Sequence, residues 1–397
     1  MPRLQTLAVH AGTRQPTPDY HPVVPPLNSS VAYTYDAMVD LDAVFADQAE
    51  GYVYARYGNP TVAAFEQAAA ALEGTSAGVA YASGMAALHA ALLAAGVRSG
   101  AAVVCAADIY GATYALLSRL LAEFGIQSIF VDINDMRTVR ETVASLKPAA
   151  VLVETISNPL LKVADIPTLA EVAHAADAQL LVDNTFATPY LCQPLAWGAD
   201  MVIHSATKYL AGHGDVMAGV VLCSPELVQK LRENQKLLGA NLAPEPAWLA
   251  HRGLRTFWVR VREQFANAER VADWLVARDD IVQVHYPGLL THHQHELARR
   301  LFGERGFGGM LSFELRDAGR DQVFGFMDEL QLVLSATTLG DVFSLVLYPA
   351  HSSHRSMPAE MRAALGISEG LVRMSTGIEA SEDIIADLAQ ALDKTRA

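Results

Sequence analysis

Residues 199–221 run ADMVIHSATKYLAGHGDVMAGVV. The apolar run from Ala199 to Ile203 has the make-up of a buried strand, and soon after it comes Lys208, followed by Gly212, Gly214 and Gly219. Apart from His213, Lys208 is the only basic side chain between 205 and 221, and its neighbours are small and apolar. A solubilising lysine normally stands among other charges. A lysine just past a strand end, in a glycine-rich loop, sits where α/β proteins place ligand chemistry. On this stretch alone a snorkelling lysine explains the position equally well.

Working outward, the chain after Thr61 alternates. Apolar runs AAVVCA, IQSIFVD, AAVLVE, QLLVD and MVIHS are separated by segments of helical period such as YALLSRLLAEFG and IPTLAEVAHAA. This is the signature of βα repetition, and it predicts a mostly parallel central sheet with helices on both faces. From about Phe257 the pattern changes to a long amphipathic helix, VREQFANAERVADWLVA, and then to the short strands IVQVHY, GGMLSFEL and LVRMS mixed with helices. That predicts a smaller α+β domain over 257–397, after a large α/β domain over 61–256. Residues 1–60 are rich in Pro and Tyr and lack periodicity, so they are expected to form an arm against another surface.

Composition narrows the classes. A chain of 397 residues, 51% hydrophobic, is long enough for two domains with cores of their own. A net charge of −14 argues against nucleic acid and anionic membranes as partners. Cys105, Cys192 and Cys223 are widely spaced in apolar runs and are expected to be buried thiols in a reducing compartment. Without an apolar leader or a lipidation signal, a cytoplasmic location is expected. The uncharged segment Gly74 to Val97 has the length of a membrane span, yet its glycines, serines and His89 divide it into a short strand, a turn at Ser83-Gly84 and a buried helix.

Further residues give Lys208 a context. Asp183 ends the apolar run LLVD, and a carboxylate at one strand end meets a lysine past a later one along one edge of a parallel sheet. A turn cap is the common alternative for such an aspartate. Pyridoxal phosphate (PLP) needs this pair: a lysine to form a Schiff base and an acid to keep the pyridine nitrogen protonated. The phosphate needs a cradle, which ASGMAALHAAL supplies as a Ser-Gly turn at a helix start. Ser205 and Thr207 add hydroxyl donors, and Tyr110 is an aromatic suited to stacking on the ring.

With these residues in view, the chain resembles the PLP enzymes of cysteine and methionine metabolism: cystathionine γ-synthase, the cystathionine lyases, methionine γ-lyase and the O-acetylhomoserine sulfhydrylases. The resemblance is carried nearly end to end by YARYGNPT (54–61), SGMAA (83–87), YGAT (110–113), ETISNP (154–159), VDNTFATP (182–189), HSATKYLAGHGDVMAG (204–219), RGLRT (252–256) and LVRMSTGIE (371–379). It implies the fold-type-I PLP-dependent architecture and a homotetramer built from active dimers. It further implies that Lys208 binds the cofactor covalently, Asp183 pairs with the ring nitrogen, Tyr110 stacks, and Gly84, Met85, Ser205 and Thr207 hold the phosphate. Tyr54 and Arg56 are implied to reach a neighbouring subunit's phosphate site. Arg373 is implied to grip the substrate carboxylate, with Asn158 assisting.

Departures bear on the reaction. Ala112 replaces the glycine or cysteine usual after Tyr-Gly, NQKLLGANLAP (234–244) leans toward the cystathionine enzymes, Thr338 stands where serine is frequent, and Phe343 where a glutamate is. The expected activity is α,γ-elimination from methionine or cystathionine, with γ-replacement by a transferase as the alternative. A rival of another class is a non-catalytic phosphate-binding protein. The run THHQHE, with His292, His293 and His295, is polar and has no carboxylate at fixed helical spacing beyond Glu296, so no metal is expected there. The resemblance places His351 and His354 near the substrate channel.

Overall fold

The computed structural model describes residues 3–12, 22–355 and 357–395. Seven strands make the larger sheet: β1 (Ala77–Tyr81), β2 (Ala102–Ala106), β3 (Gln127–Val131), β4 (Ala150–Glu154), β5 (Gln179–Asp183), β6 (Met201–Ser205) and β7 (Gly219–Cys223). Their order is β1-β7-β6-β5-β4-β2-β3. The run β3 to β6 is parallel, and β7 lies antiparallel to both β6 and β1. Strands covered on both faces read as unbroken apolar runs, and β4 and β7 are buried at every position. The loop between β6 and β7 contains no helix, so the chain returns antiparallel without a crossover.

The smaller sheet holds β8 (Ile281–His285), β9 (Met310–Leu315), β10 (Leu334–Ser335), β11 (Leu345–Leu347) and β12 (Leu371–Ser375), in the order β10-β11-β12-β9-β8. Between the sheets runs the helix Phe257–Val276, which starts before the amphipathic pattern does. Phe257, Val261 and Phe265 belong to the core of the larger sheet, and Ala268, Val271, Ala272 and Leu275 to that of the smaller one. One helix therefore serves both cores.

The start of the chain is more attached than a free arm. The helix Leu4–His10 buries Ala8 in the main core, and Trp248 Nε1 donates to the Pro25 carbonyl at 3.0 Å. The helix Met38–Phe45, in contrast, buries none of its residues. The uncharged segment 74–97 resolves into β1, the cap Ser83 and the helix Gly84–Ala94. Among the described residues no helix is long and apolar enough to cross a membrane.

Outside the site, a charged clasp fastens the edge of the larger sheet. Glu66, 4% exposed on the helix Pro60–Glu73, accepts from the Ala80 N–H at 2.7 Å and from both terminal nitrogens of Arg232 on the helix Pro225–Leu238. Breaking a buried pair leaves a carboxylate without its counter-charge. Arg232→Met is expected to cost about 3 kcal/mol, read as a lower urea midpoint; an unchanged midpoint would show that the clasp contributes nothing.

Candidate functional site

The site forms at the C-terminal ends of β4, β5 and β6. Register pairs Glu154 with Asp183 and Asp183 with Ile203, so each strand hands its last residues to one cavity. That cavity, about 460 Å³, is lined by Gly84, Met85, Tyr110, Asn158, Asp183, Ser205, Thr207, Lys208 and Arg373, together with Glu154 and Thr185. Nine residues singled out in the sequence thus meet in one place. Apolar walls come from Leu88, Phe186, Met217 and Leu339.

Lys208 Nζ donates to Thr338 Oγ1 at 2.8 Å. Burial, and after it the Arg373 guanidinium, push the amine down from 10.5 to about 8. Arg373 lies on β12, 3% exposed, with Nη1 donating to Asn158 Oδ1 at 3.0 Å and Nη2 to the Thr338 carbonyl at 3.4 Å. Its buried Nε has no protein partner. A buried cation with an unused donor beside a cavity is suited to a carboxylate ligand.

At the sheet end, Thr185 links two strands. Its hydroxyl donates to Asp183 Oδ1 at 2.5 Å and accepts from the Ser205 N–H at 2.9 Å, and its own N–H donates to the same Asp183 oxygen at 3.0 Å. Burial nonetheless raises the Asp183 carboxyl above its ordinary range, and burial followed by repulsion from Asp183 raises Glu154 much further. Two carboxylates this close resist ionising together. Beneath them, Glu73 Oε1 bonds the His204 ring at 2.6 Å and accepts from Asn184 Nδ2 at 2.9 Å, while Thr155 donates to Asn184 Oδ1 at 2.7 Å.

The helix Gly84–Ala94 opens beside Ser205. Ser83 caps it by accepting from the Ala86 N–H at 3.1 Å, and no intrahelical carbonyl reaches the N–H groups of Gly84 and Met85. A Cβ on Gly84 would stand 2.8 Å from Ser205 Cβ, so only glycine lets the helix end come this close. The Thr207 hydroxyl exchanges bonds with the Ala218 backbone. Tyr110 is 40% exposed at the N-cap of the helix Gly111–Ala115.

Other singled-out residues lie elsewhere. Tyr54 and Arg56 do not line this cavity: Arg56 bonds the Lys236 carbonyl and covers the Tyr57 ring at 4.9 Å. Phe343 is 52% exposed and also outside the lining. Ser352 and Ser353 reach the cavity, whereas His354 is buried behind them with its Nδ1 2.9 Å from Ser353 Oγ. The His292 ring stacks on His293, and His295 Nδ1 faces the Pro287 carbonyl. Cys105, Cys192 and Cys223 are free and buried. Glu154 and Thr185 went unnoticed in the sequence, although both stand inside segments of family likeness.

The sequence profile of the Cys/Met metabolism PLP-dependent enzymes matches residues 5–393. The chain belongs to that family. A cystathionine β-lyase from Lactococcus lactis subsp. cremoris is 44% identical over 87% of this chain and 90% of its own. An L-methionine γ-lyase from Fusobacterium nucleatum subsp. polymorphum is 40% identical over 98% of each. Among solved structures, cystathionine γ-synthase from Xanthomonas oryzae pv. oryzae superposes with a TM-score of 0.93 at 38% identity, covering 100% of this chain and 99% of that one.

The cofactor of this PLP-dependent family is matched by what surrounds the cavity. An amine of lowered basicity, a half-buried carboxylate at a strand end and a helix start that only glycine brings close form the donor set that an aldehyde, a pyridine nitrogen and a phosphate require. The Lys208 amine is cationic below about pH 8 and neutral above it. The rate at which protein stripped of cofactor regains its visible absorbance on adding PLP is therefore expected to rise with pH through a midpoint near 8. Arg373→Leu removes a repelling cation, which favours the protonated amine and moves that midpoint upward. An unmoved midpoint in the variant would exclude Arg373 as a cause.

Proposed function

We propose that the enzyme acts as a lyase on a sulfur amino acid, by α,γ-elimination giving a thiol, 2-oxobutanoate and ammonia. The observation that carries this reading is one cavity that combines a lysine of lowered basicity, a buried arginine with a free donor, and an apolar wall. An L-methionine γ-lyase at 40% identity and a cystathionine γ-lyase at 42% support it.

In this reading Arg373, braced by Asn158, takes the substrate carboxylate and fixes which bond at Cα faces Lys208. Lys208 Nζ removes the Cα proton, and burial keeps enough of the amine neutral to do so. PLP, when bound, supplies the ring that accepts the resulting charge. Asp183, held by Thr185, would face the ring nitrogen; Gly84, Met85, Ser205 and Thr207 would hold the phosphate. Tyr110 is the acid that protonates the departing sulfur. Met217, Phe186 and Leu339 exclude water from the thioether. Thr338 holds the Lys208 amine in place between steps.

A second reading, γ-replacement by an added thiol, is supported by the close superposition on cystathionine γ-synthase. Both use the same residues up to the fate of the Cγ leaving group. Incubation with methionine, cystathionine and an O-acylhomoserine, each with and without thiol, separates them. α,γ-Elimination predicts 2-oxobutanoate from the thioethers without added thiol, and its absence refutes the γ-lyase, with pyruvate from cystathionine marking elimination at Cβ instead. Lys208→Ala is expected to remain folded while losing both the visible absorbance and essentially all turnover.

Tyr54 and Arg56 are proposed to complete a neighbour's site, since within one chain they stand away from Lys208. Mixing inactive Arg56→Ala chains with inactive Lys208→Ala chains is then expected to restore part of the activity, because one hybrid site keeps both residues. No recovery after verified subunit exchange would assign the pair to its own subunit.

A further inference from the structure

Of the two carboxylates lining the cavity, Asp183 has a proposed role and Glu154 none. Glu154 ends β4, is 8% exposed, and reaches in two directions. Its Oε1 accepts from the Tyr110 N–H at 3.0 Å, and its Oε2 accepts from the Asn158 N–H at 3.1 Å. Tyr110 follows β2, whereas Asn158 follows β4 itself, and Asn158 Oδ1 in turn receives Arg373 Nη1 at 3.0 Å. One carboxyl group thus fixes the backbone beneath two side chains on different loops.

We propose that Glu154 is a positioning residue, a buried tie that sets Tyr110 and the Asn158–Arg373 pair at a fixed spacing across the cavity. This inference rests on the roles given above to Tyr110 and Arg373. Two loops that follow neighbouring parallel strands have no covalent reason to keep a common height. A shared acceptor supplies one, and the buried Asn158 N–H would otherwise be left unpaired. The tie survives protonation: an uncharged carboxylic acid still accepts at both oxygens, although Asp183 and burial favour that form. Substrate binding would consequently be felt at Tyr110, since a carboxylate that pulls on Arg373 pulls on the same carboxyl group.

The test uses the cofactor-loaded enzyme. Glu154→Gln keeps the volume and loses one of the two bonds, because an amide nitrogen cannot accept an N–H; Glu154→Met loses both. A displacement of about 1 Å costs on the order of 100-fold in rate, which is the fall in kcat/KM expected for Glu154→Met, with Glu154→Gln between it and the parent. The dissociation constant of glycine, a non-reacting carboxylate probe read from the visible spectrum, is expected to rise with the same ranking. Double-mutant cycles decide between a tie and general structural support. The effect of Glu154→Met on glycine affinity is expected to vanish largely in Asn158→Ala, and its effect on kcat in Tyr110→Phe. Additive effects in both cycles overturn the proposal. If Glu154→Met does not yield folded protein, Glu154→Gln carries the same cycles. If the parent binds glycine yet eliminates no thiol, the lyase reading fails while the glycine cycle still judges the tie.

Discussion

Everything in the site depends on β4 and β5 stopping at one level while the parallel strand β6 runs two residues further. Parallel neighbours lie about 4.8 Å apart, so residues that end adjacent strands are brought side by side whatever their charge. Here β4 and β5 end in Glu154 and Asp183, directly paired in register, and β6 delivers Ser205 and the loop to Lys208. Packing of the apolar runs below sets this alignment. The sheet therefore imposes a repulsion that the residues above it must absorb, and they do so through Thr185, the Tyr110 and Asn158 amides, and raised carboxyl basicity.

Polar groups continue into the core beneath. Thr155, Asn184 and His204 each adjoin a functional strand end, Glu73 closes the helix Pro60–Glu73, and the four bond one another out of contact with water. A polar network in low dielectric is rigid when satisfied and costly when broken. Its place directly under Asp183 and Ser205 gives those residues a floor that apolar packing alone would leave free to shift.

The sequence made much of this legible, and the reasons for the gaps are physical. Lys208 and Asp183 stood out because each interrupts or ends an apolar run, and the parallel strands stood out because burial on both faces leaves three or more successive apolar letters. The direction of β7 was not visible, since GVVLC has no feature that depends on which way it runs. The strands β10 and β11, of two and three residues, are too short for a period to exist. Glu154 was overlooked because its partners are backbone amides, and an N–H donor is common to every residue but proline. The helix Leu4–His10 was hidden for a different reason: only Ala8 on it is buried, too little to mark an apolar face.

The helix Phe257–Val276, shared by both cores, has a mechanical meaning. Lys208 stands on the larger sheet's side and Arg373 on the smaller sheet's, and a rod of 20 residues anchored in each resists any rotation of one against the other. Opening the cavity by swinging the two halves apart would require bending that rod or dragging Phe265 or Val271 out of its packing. Entry of substrate is thus left to the loops at the rim, those carrying Tyr110 and Ser352–Ser353, while the distance from amine to guanidinium is built in as a stiff dimension. The same rod joins the fates of the two halves under denaturing stress: neither can melt without stripping the other of part of its interior.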